Sequence, residues 1–197
     1  SKTLSILFGN GDLTFSNEVV YELKGSPRYL ALEDVDLNDT IDIVLVDKSN
    51  NLLIVLKNDG LGEFKQSFAE STSNIPHSIA MGDINNDGFL DAMVTHVGSQ
   101  NQKLYFNDGT GDYSTIQTIP MISGPAEVIL HDVNNDGDLD ILAANVNTNA
   151  LGLSVIIQGA FEGPDCNNNG IADVCELPDC NTNGLPDDCD ITFGFSA

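Results

Sequence analysis

Apolar residues along this chain come in short β-branched runs broken by turn formers, and nowhere in a sustained helical stripe. The stretch from 77 to 119 shows the pattern. It predicts strands at about 77–82 (His-Ser-Ile-Ala-Met-Gly), 89–95 (Phe-Leu-Asp-Ala-Met-Val-Thr), 103–106 (Lys-Leu-Tyr-Phe) and 113–119 (Tyr-Ser-Thr-Ile-Gln-Thr-Ile). The same arrangement recurs. Asp34-Val-Asp-Leu-Asn-Asp-Thr-Ile-Asp42, Asp83-Ile-Asn-Asn-Asp-Gly-Phe-Leu-Asp91 and Asp132-Val-Asn-Asn-Asp-Gly-Asp-Leu-Asp140 stand 49 residues apart. Pro27, Pro76 and Pro125 keep that spacing, as do Phe15 and Phe64. The turns at Gly9-Asn10-Gly11, Asn58-Asp59-Gly60 and Asn107-Asp108-Gly109 recur in register.

Four antiparallel strands in a period of about 50 residues is the pattern of a β-propeller blade, so the fold class is all-β with negligible helix. The chain holds two outer strands (about 4–8 and 15–22), two full blades, and a third with three evident strands, about three blades in all. Closed propellers need four or more blades. The chain is therefore expected to be part of a longer propeller, to complete a ring with another chain, or to stand as an open array. Ile191-Thr-Phe-Gly-Phe195 is the remaining source of a strand for the third blade.

Each 49-residue unit carries side-chain oxygens at positions one, three, five and nine of its acidic loop. That spacing suits Ca²⁺, a hard cation taking six to eight oxygens, with a backbone carbonyl at position seven and a sharp turn at position six. The ligand sets are Asp34, Asp36, Asn38 and Asp42 with the Thr40 carbonyl; Asp83, Asn85, Asp87 and Asp91 with that of Phe89; and Asp132, Asn134, Asp136 and Asp140 with that of Asp138. The competing reading is a turn in which Asn and Asp cap their own backbone. Asp39 stands where Gly88 and Gly137 serve the other loops, which makes the first the least favoured of the three. Mg²⁺ suits them less, since it demands tight octahedral geometry.

The Asp-x-Asn-x-Asp-Gly-x-x-Asp motif, with Phe8-Gly-Asn-Gly11 and Phe106-Asn-Asp-Gly109 turns, resembles the FG-GAP/VCBS repeats of integrin α-chain propellers and of many secreted bacterial proteins. The resemblance covers residues 1–160. It implies that the metal loops brace one side of the blades and that ligands meet the opposite loops, about 22–28, 48–51, 70–76, 96–102, 120–125 and 146–152, including Arg28, Tyr29 and His96.

Composition changes in the tail, residues 161–197. Lys and Arg vanish, all 4 cysteines appear, and a 14-residue repeat begins, Asp165 to Glu176 and then Asp179 to Asp190. It matches the EF-hand loop at positions one, three, five, six, nine and twelve, without flanking helices. The segment resembles the Ca²⁺-binding repeats of thrombospondin type 3. By that resemblance the ligands are Asp165, Asn167, Asn169, Asp173 and Glu176 with the carbonyl position at Ile171, then Asp179, Asn181, Asn183, Asp187 and Asp190 with that at Leu185. Cys166, Cys175, Cys180 and Cys189 contain no Cys-x-x-Cys pair, which favours two disulfides over zinc and implies an oxidising compartment. Three connectivities are open, of which 166–175 with 180–189 follows repeat symmetry.

Charge then narrows the partners. Against 30 acidic residues stand 7 basic ones, a formal net charge of −23, which disfavours nucleic acid and anionic membrane surfaces. No apolar run approaches the roughly 18 residues that span a bilayer, and a chain starting at Ser1 without a signal sequence is expected to be processed or cut from something longer. There is no Gly-x-Ser-x-Gly, no His-Glu-x-x-His and no phosphate-cradling loop. His77, His96 and His131 read as strand-end residues, and the sequon at Asn38 as incidental. The expectation is a non-enzymatic, secreted, Ca²⁺-binding module at a cell surface or in the extracellular space. Its partners would be a protein or glycan ligand, and further blades or neighbouring subunits joined by strand-edge pairing. The alternative is an accessory or partial domain of a secreted polysaccharide- or protein-degrading enzyme, with its chemistry in a portion of the chain beyond this sequence.

Overall fold

Residues 2–97, 99–120, 124–146 and 152–158 are described in a computed structural model, and among them every regular element is a β-strand. The cysteine-rich tail, with the ligands expected from Asp165 to Asp190, the expected disulfides and the strand expected at 191–195, lies outside the described residues.

A hairpin of β1 (Thr3–Ile6) and β2 (Val19–Glu22) opens the chain. The first blade follows, with β3 (Pro27–Glu33), β4 (Asp42–Asp47), β5 (Leu52–Asn58) and β6 (Phe64–Ser71) side by side in sequence order. The second repeats it as β7 (Pro76–Gly82), β8 (Asp91–His96), β9 (Asn101–Phe106) and β10 (Thr115–Pro120). The third shows β11 (Pro125–His131), β12 (Asp140–Asn145) and β13 (Gly152–Ile156). All pairings are antiparallel. The first two strands are shorter than the sequence predicts. An isolated Gly9–Phe15 bridge and the Asn10–Thr14 bond close a wide turn instead of extending the ladder.

Blades stack face to face. Val44, Val46, Leu53 and Val55 of the first meet Ile79, Ala92, Val94 and Tyr105 of the second. Met93 and Leu104 of the second meet Val128, Ile141 and Ala143 of the third. The hairpin closes the other side of the first blade, where Leu4 and Ile6 pack on Ile43, Leu45, Ile54 and Leu56. Central strands buried on both faces explain the continuous apolar runs at 43–46 and 92–94, where the sequence does not alternate.

Pro27, Pro76 and Pro125 each start an inner strand, where the missing N–H costs no ladder bond, and a register shift follows each. The extra residues are Arg28, His77 and Ala126. Such irregularities re-aim side chains. The Arg28 guanidinium donates to His77 Nε2 at 2.6 Å, and His77 Nδ1 donates to the Ala126 carbonyl at 2.6 Å, so the three inner strands are linked in series. His77, His96 and His131 all fall at strand ends.

Candidate metal centre

The three acidic loops share one scaffold, and it is built around position nine. Asp42, Asp91 and Asp140 are each fully buried at the start of the second strand of their blade. One carboxylate oxygen accepts the N–H of position two: Val35 at 3.2 Å, Ile84 at 3.2 Å and Val133 at 2.9 Å. The other accepts an N–H from the end of the third strand: Asn58 at 2.8 Å, Asn107 at 2.9 Å and Gln158 at 2.8 Å. The residue proposed as a metal ligand thus also ties the loop to the blade edge, a role not evident from spacing alone.

Position one closes the turn. Asp34 accepts from the N–H groups of Asn38 and Asp39, Asp83 from those of Asp87 and Gly88, and Asp132 from those of Asp136 and Gly137. At position six Gly88 and Gly137 take φ of 91° and 95°, and Asp39 takes 66°. The Asp39 substitution leaves the first loop formed. Its N–H is held by Asp34 Oδ2 at 2.8 Å, the same bond that Gly88 and Gly137 make, so the cost of about 1–2 kcal/mol for a non-glycine residue in this region stays with the first loop. Position four is left-handed as well, at Leu37, Asn86 and Asn135. Two of those are Asn, which tolerates the conformation, and Leu37 gives no such signal.

The first loop is also where carboxylates converge. Oxygens of Asp34, Asp36 and Asp42 lie within 4.8 Å of one another, a grouping unique among the described residues for acidic, His and Cys side chains. Asp36 Oδ1 is buried without a hydrogen-bond partner. Its Oδ2 lies 3.0 Å from Lys57 Nζ, and that ammonium also donates to the Thr110 carbonyl of the next blade. Position three explains the difference. In the other loops it is Asn, and Asn85 and Asn134 donate their amides to Asp87 and Asp136 at 2.9 and 2.8 Å, so each loop satisfies itself.

Electrostatics at position nine agree with a cation's place. Burial pushes the Asp42 carboxyl above the usual range, and Asp36 and Asp34 add to the rise. Asp91 is pushed up to about 6, first by burial and then by Asp87 and Asp83. The residues present fit Ca²⁺ best in the first loop: three hard oxygens, an orphaned buried one, and an Asn38 carboxamide at position five.

Stacked antiparallel blades, two of four strands and one with three among the described residues, each with an acidic loop between its first and second strands, define a propeller-type repeat protein. The sequence matches the FG-GAP-like repeat over residues 34–94 and 91–143, more than half its length, and the chain belongs to that family. No curated protein matches it. FG-GAP-like repeats typically occur in extracellular proteins, commonly as binding or adhesion modules, and are generally non-enzymatic.

Proposed function

We propose that this chain is a Ca²⁺-stabilised extracellular binding and assembly module. The convergence of Asp34, Asp36 and Asp42 around a buried, unpartnered oxygen carries the metal part of that reading. Bound Ca²⁺ would supply positive charge to carboxylates that otherwise repel one another across the loop. Asp34, Asp36, Asn38, Asp42 and the Thr40 carbonyl hold it in the first loop, and the matching sets from Asp83 to Asp91 and from Asp132 to Asp140 do so in the others. The tail loops extend the same chemistry, with disulfides in an oxidising, secreted setting.

The binding part rests on how the blades are built. The metal loops lie where the inner strands end, and the starts of β3, β7 and β11, with Arg28 and His77, lie at the opposite end. A rigid, metal-braced side leaves the other loops to meet partners. Equilibrium dialysis with ⁴⁵Ca²⁺, beside turnover assays on polysaccharides and proteins, tests the reading. Saturable metal binding without turnover supports it, and hydrolysis by this chain alone overturns it in favour of an enzyme.

A further inference from the structure

A groove of about 400 Å³ opens between β1 and β3, lined by Leu4, Leu30 and Leu45 with Pro27, Arg28 and Tyr29. Its apolar surface has the character of an interface between blades. Leu30 and Leu32 are 42% and 55% exposed, whereas Ile79, the counterpart of Leu30 one repeat later, is 4% exposed. Met81, the counterpart of Leu32, is packed into the core. The inner strands of the first blade cover Ile79 and Met81, while only an outer-type hairpin stands before Leu30 and Leu32. Among the described residues β1 has a strand neighbour on one side only, so Leu4, Ser5 and Ile6 present a backbone edge beside the groove.

One end of the groove is basic in a strongly acidic protein. Arg28 lines the groove itself, and Lys2, Lys24 and Lys48, all exposed, stand within three residues of its lining positions Leu4 and Pro27 along the chain or across a backbone bond. Lys24 borders the neighbouring depression with Glu22, and these are four of the 7 basic residues. Backbone bonds hold them together: Leu23 N to the Lys2 carbonyl at 2.6 Å, and Lys48 N to the Ser26 carbonyl at 3.0 Å. Among the described residues no carboxylate lies within ion-pairing distance of any of the four. Asp47 sits beneath them, but it is buried and saturated. Burial opposes its ionisation, yet hydrogen bonds from Ser49, Asn50 and Ser26 hold its pKa below the usual value. Glu22 is an exposed acid of this corner, and the exposed carboxylate of Glu127 stands by Tyr29, whose hydroxyl pKa it raises.

We propose that the groove docks an extended segment of a partner protein, which adds as a strand to the edge of β1. Alternate apolar side chains cover Leu30 and Leu32, and carboxylates at one end meet Lys24, Arg28 and Lys48. Three features select this occupant together. The backbone edge calls for a polypeptide rather than a polysaccharide, the leucines call for alternating apolar residues, and the basic end calls for acid. The proposal rests on the reading of the chain as a binding module and is independent of the metal loops.

The test uses the full chain and fluorescence anisotropy, in calcium and again in excess chelator. The probes are two labelled ten-residue peptides of alternating Val and Thr, one ending in three Glu and the other in three Lys, with a copy of the first N-methylated at alternate residues and a labelled polygalacturonate. The Glu-ended peptide is expected to bind in both buffers, and the Lys-ended and N-methylated peptides at least about tenfold more weakly, a difference of roughly 1.4 kcal/mol. The double variant Lys24→Glu/Lys48→Glu, both positions being exposed, is expected to weaken the Glu-ended peptide by a similar factor with an unchanged melting temperature. Equal binding of the peptides, insensitivity to N-methylation, or displacement of the peptide by polygalacturonate overturns the proposal. A chain that ignores every probe yet melts higher in calcium also overturns it, and leaves the metal-stabilised module standing.

Discussion

The side-chain amide of Asn107 donates to the carbonyl of Val35 at 2.8 Å, across the boundary between two blades. Asn107 is buried, its N–H is held by Asp91, and its Oδ1 accepts from Gly109 and Gly111. One residue therefore fixes its own turn, its own acidic loop and the loop of the preceding blade. Gln158 plays the same part toward Ile84 one repeat later. In a stacked array stability is a sum of unit and neighbour terms, so these residues belong to the neighbour term.

Asn107→Asp keeps the turn acceptor and removes the donor, leaving a buried carbonyl unpaired. The expected cost is about 1–3 kcal/mol. Asn58→Asp, whose amide reaches an exposed carbonyl of its own blade, that of Ile41, should cost less than about 1 kcal/mol. Urea unfolding of the two variants decides whether the boundary bond matters more than the local one.

Lys57 pairs with Asp36 and would compete with a bound cation for it. Removing its charge by Lys57→Met should raise the calcium affinity of the first loop roughly threefold to tenfold, the range expected for a partly buried ion pair worth about 1 kcal/mol. Asp36→Asn should lower it by at least as much. Calcium titration with both variants reads the two opposite changes. Parallel changes would show that the pair acts through the fold alone.

His96 is fully buried, and its Nε2 accepts from the Ser73 N–H at 3.1 Å, which fixes the proton on Nδ1. Burial brings its pKa from 6.5 down to about 4; a hydrogen bond with Gln102 opposes the fall, and the charge of Lys103 adds a lesser lowering. A depressed histidine contributes stability that is complete above pH 6.5 and is lost as the pH falls from 6.5 to 4, up to about 3 kcal/mol. Asp91 runs the other way: with its pKa raised to about 6, its stabilising effect is complete below pH 3.8 and is lost as the pH rises through 6. In chelator the two oppose each other between pH 6 and 4. Denaturation curves at pH 7, 5 and 4 should therefore show a flatter profile in chelator than in calcium, and His96→Asn should remove the acid-sensitive part in both.

The face of the third blade turned away from the second carries Ile129, Leu142, Leu153 and Val155. Ile129 and Leu142 are the repeat counterparts of Ala80 and Met93, and Val155, paired with Leu142, is that of Leu104; all three counterparts pack in the interface between blades two and three. Self-association through this face, or through the adjoining edge of β13, is the expected behaviour at micromolar concentration. Leu142→Lys/Leu153→Lys should shift sedimentation toward the monomer. A wild-type chain that sediments as a monomer at all concentrations contradicts the assembly reading.

How much of this was legible in the sequence varied with the range of the interaction. The 49-residue period and its Pro, Phe and Asn-Asp-Gly landmarks placed four of the strands in the second blade within two residues, because turns and strand starts are local. The loops were legible as oxygen-rich turns for the same reason. The unpaired acceptor was not: Asp39 was legible as a conformational cost, but that Asp36, standing where the other loops have Asn, leaves its Oδ1 buried without a partner depends on contacts across the loop. Lys57 gave no signal, since its partners lie 21 residues back and 53 residues ahead along the chain. The backbone-holding role of Asp42, Asp91 and Asp140 was hidden because a buried carboxylate that accepts backbone N–H groups and one that would ligate a metal share the same letter.

The central claim, that calcium fills these loops and stabilises the blades, is tested most directly by thermal unfolding of the full chain across a calcium titration, with chelated protein as the reference. Extracellular sites bind at about 10⁻⁴–10⁻³ M, and binding to the folded form alone must raise its stability by linkage. The melting temperature is predicted to climb through that concentration range, with the rise reduced in Asp36→Asn, Asp83→Ala and Asp132→Ala. The same melting temperature in millimolar calcium and in excess chelator would contradict the account.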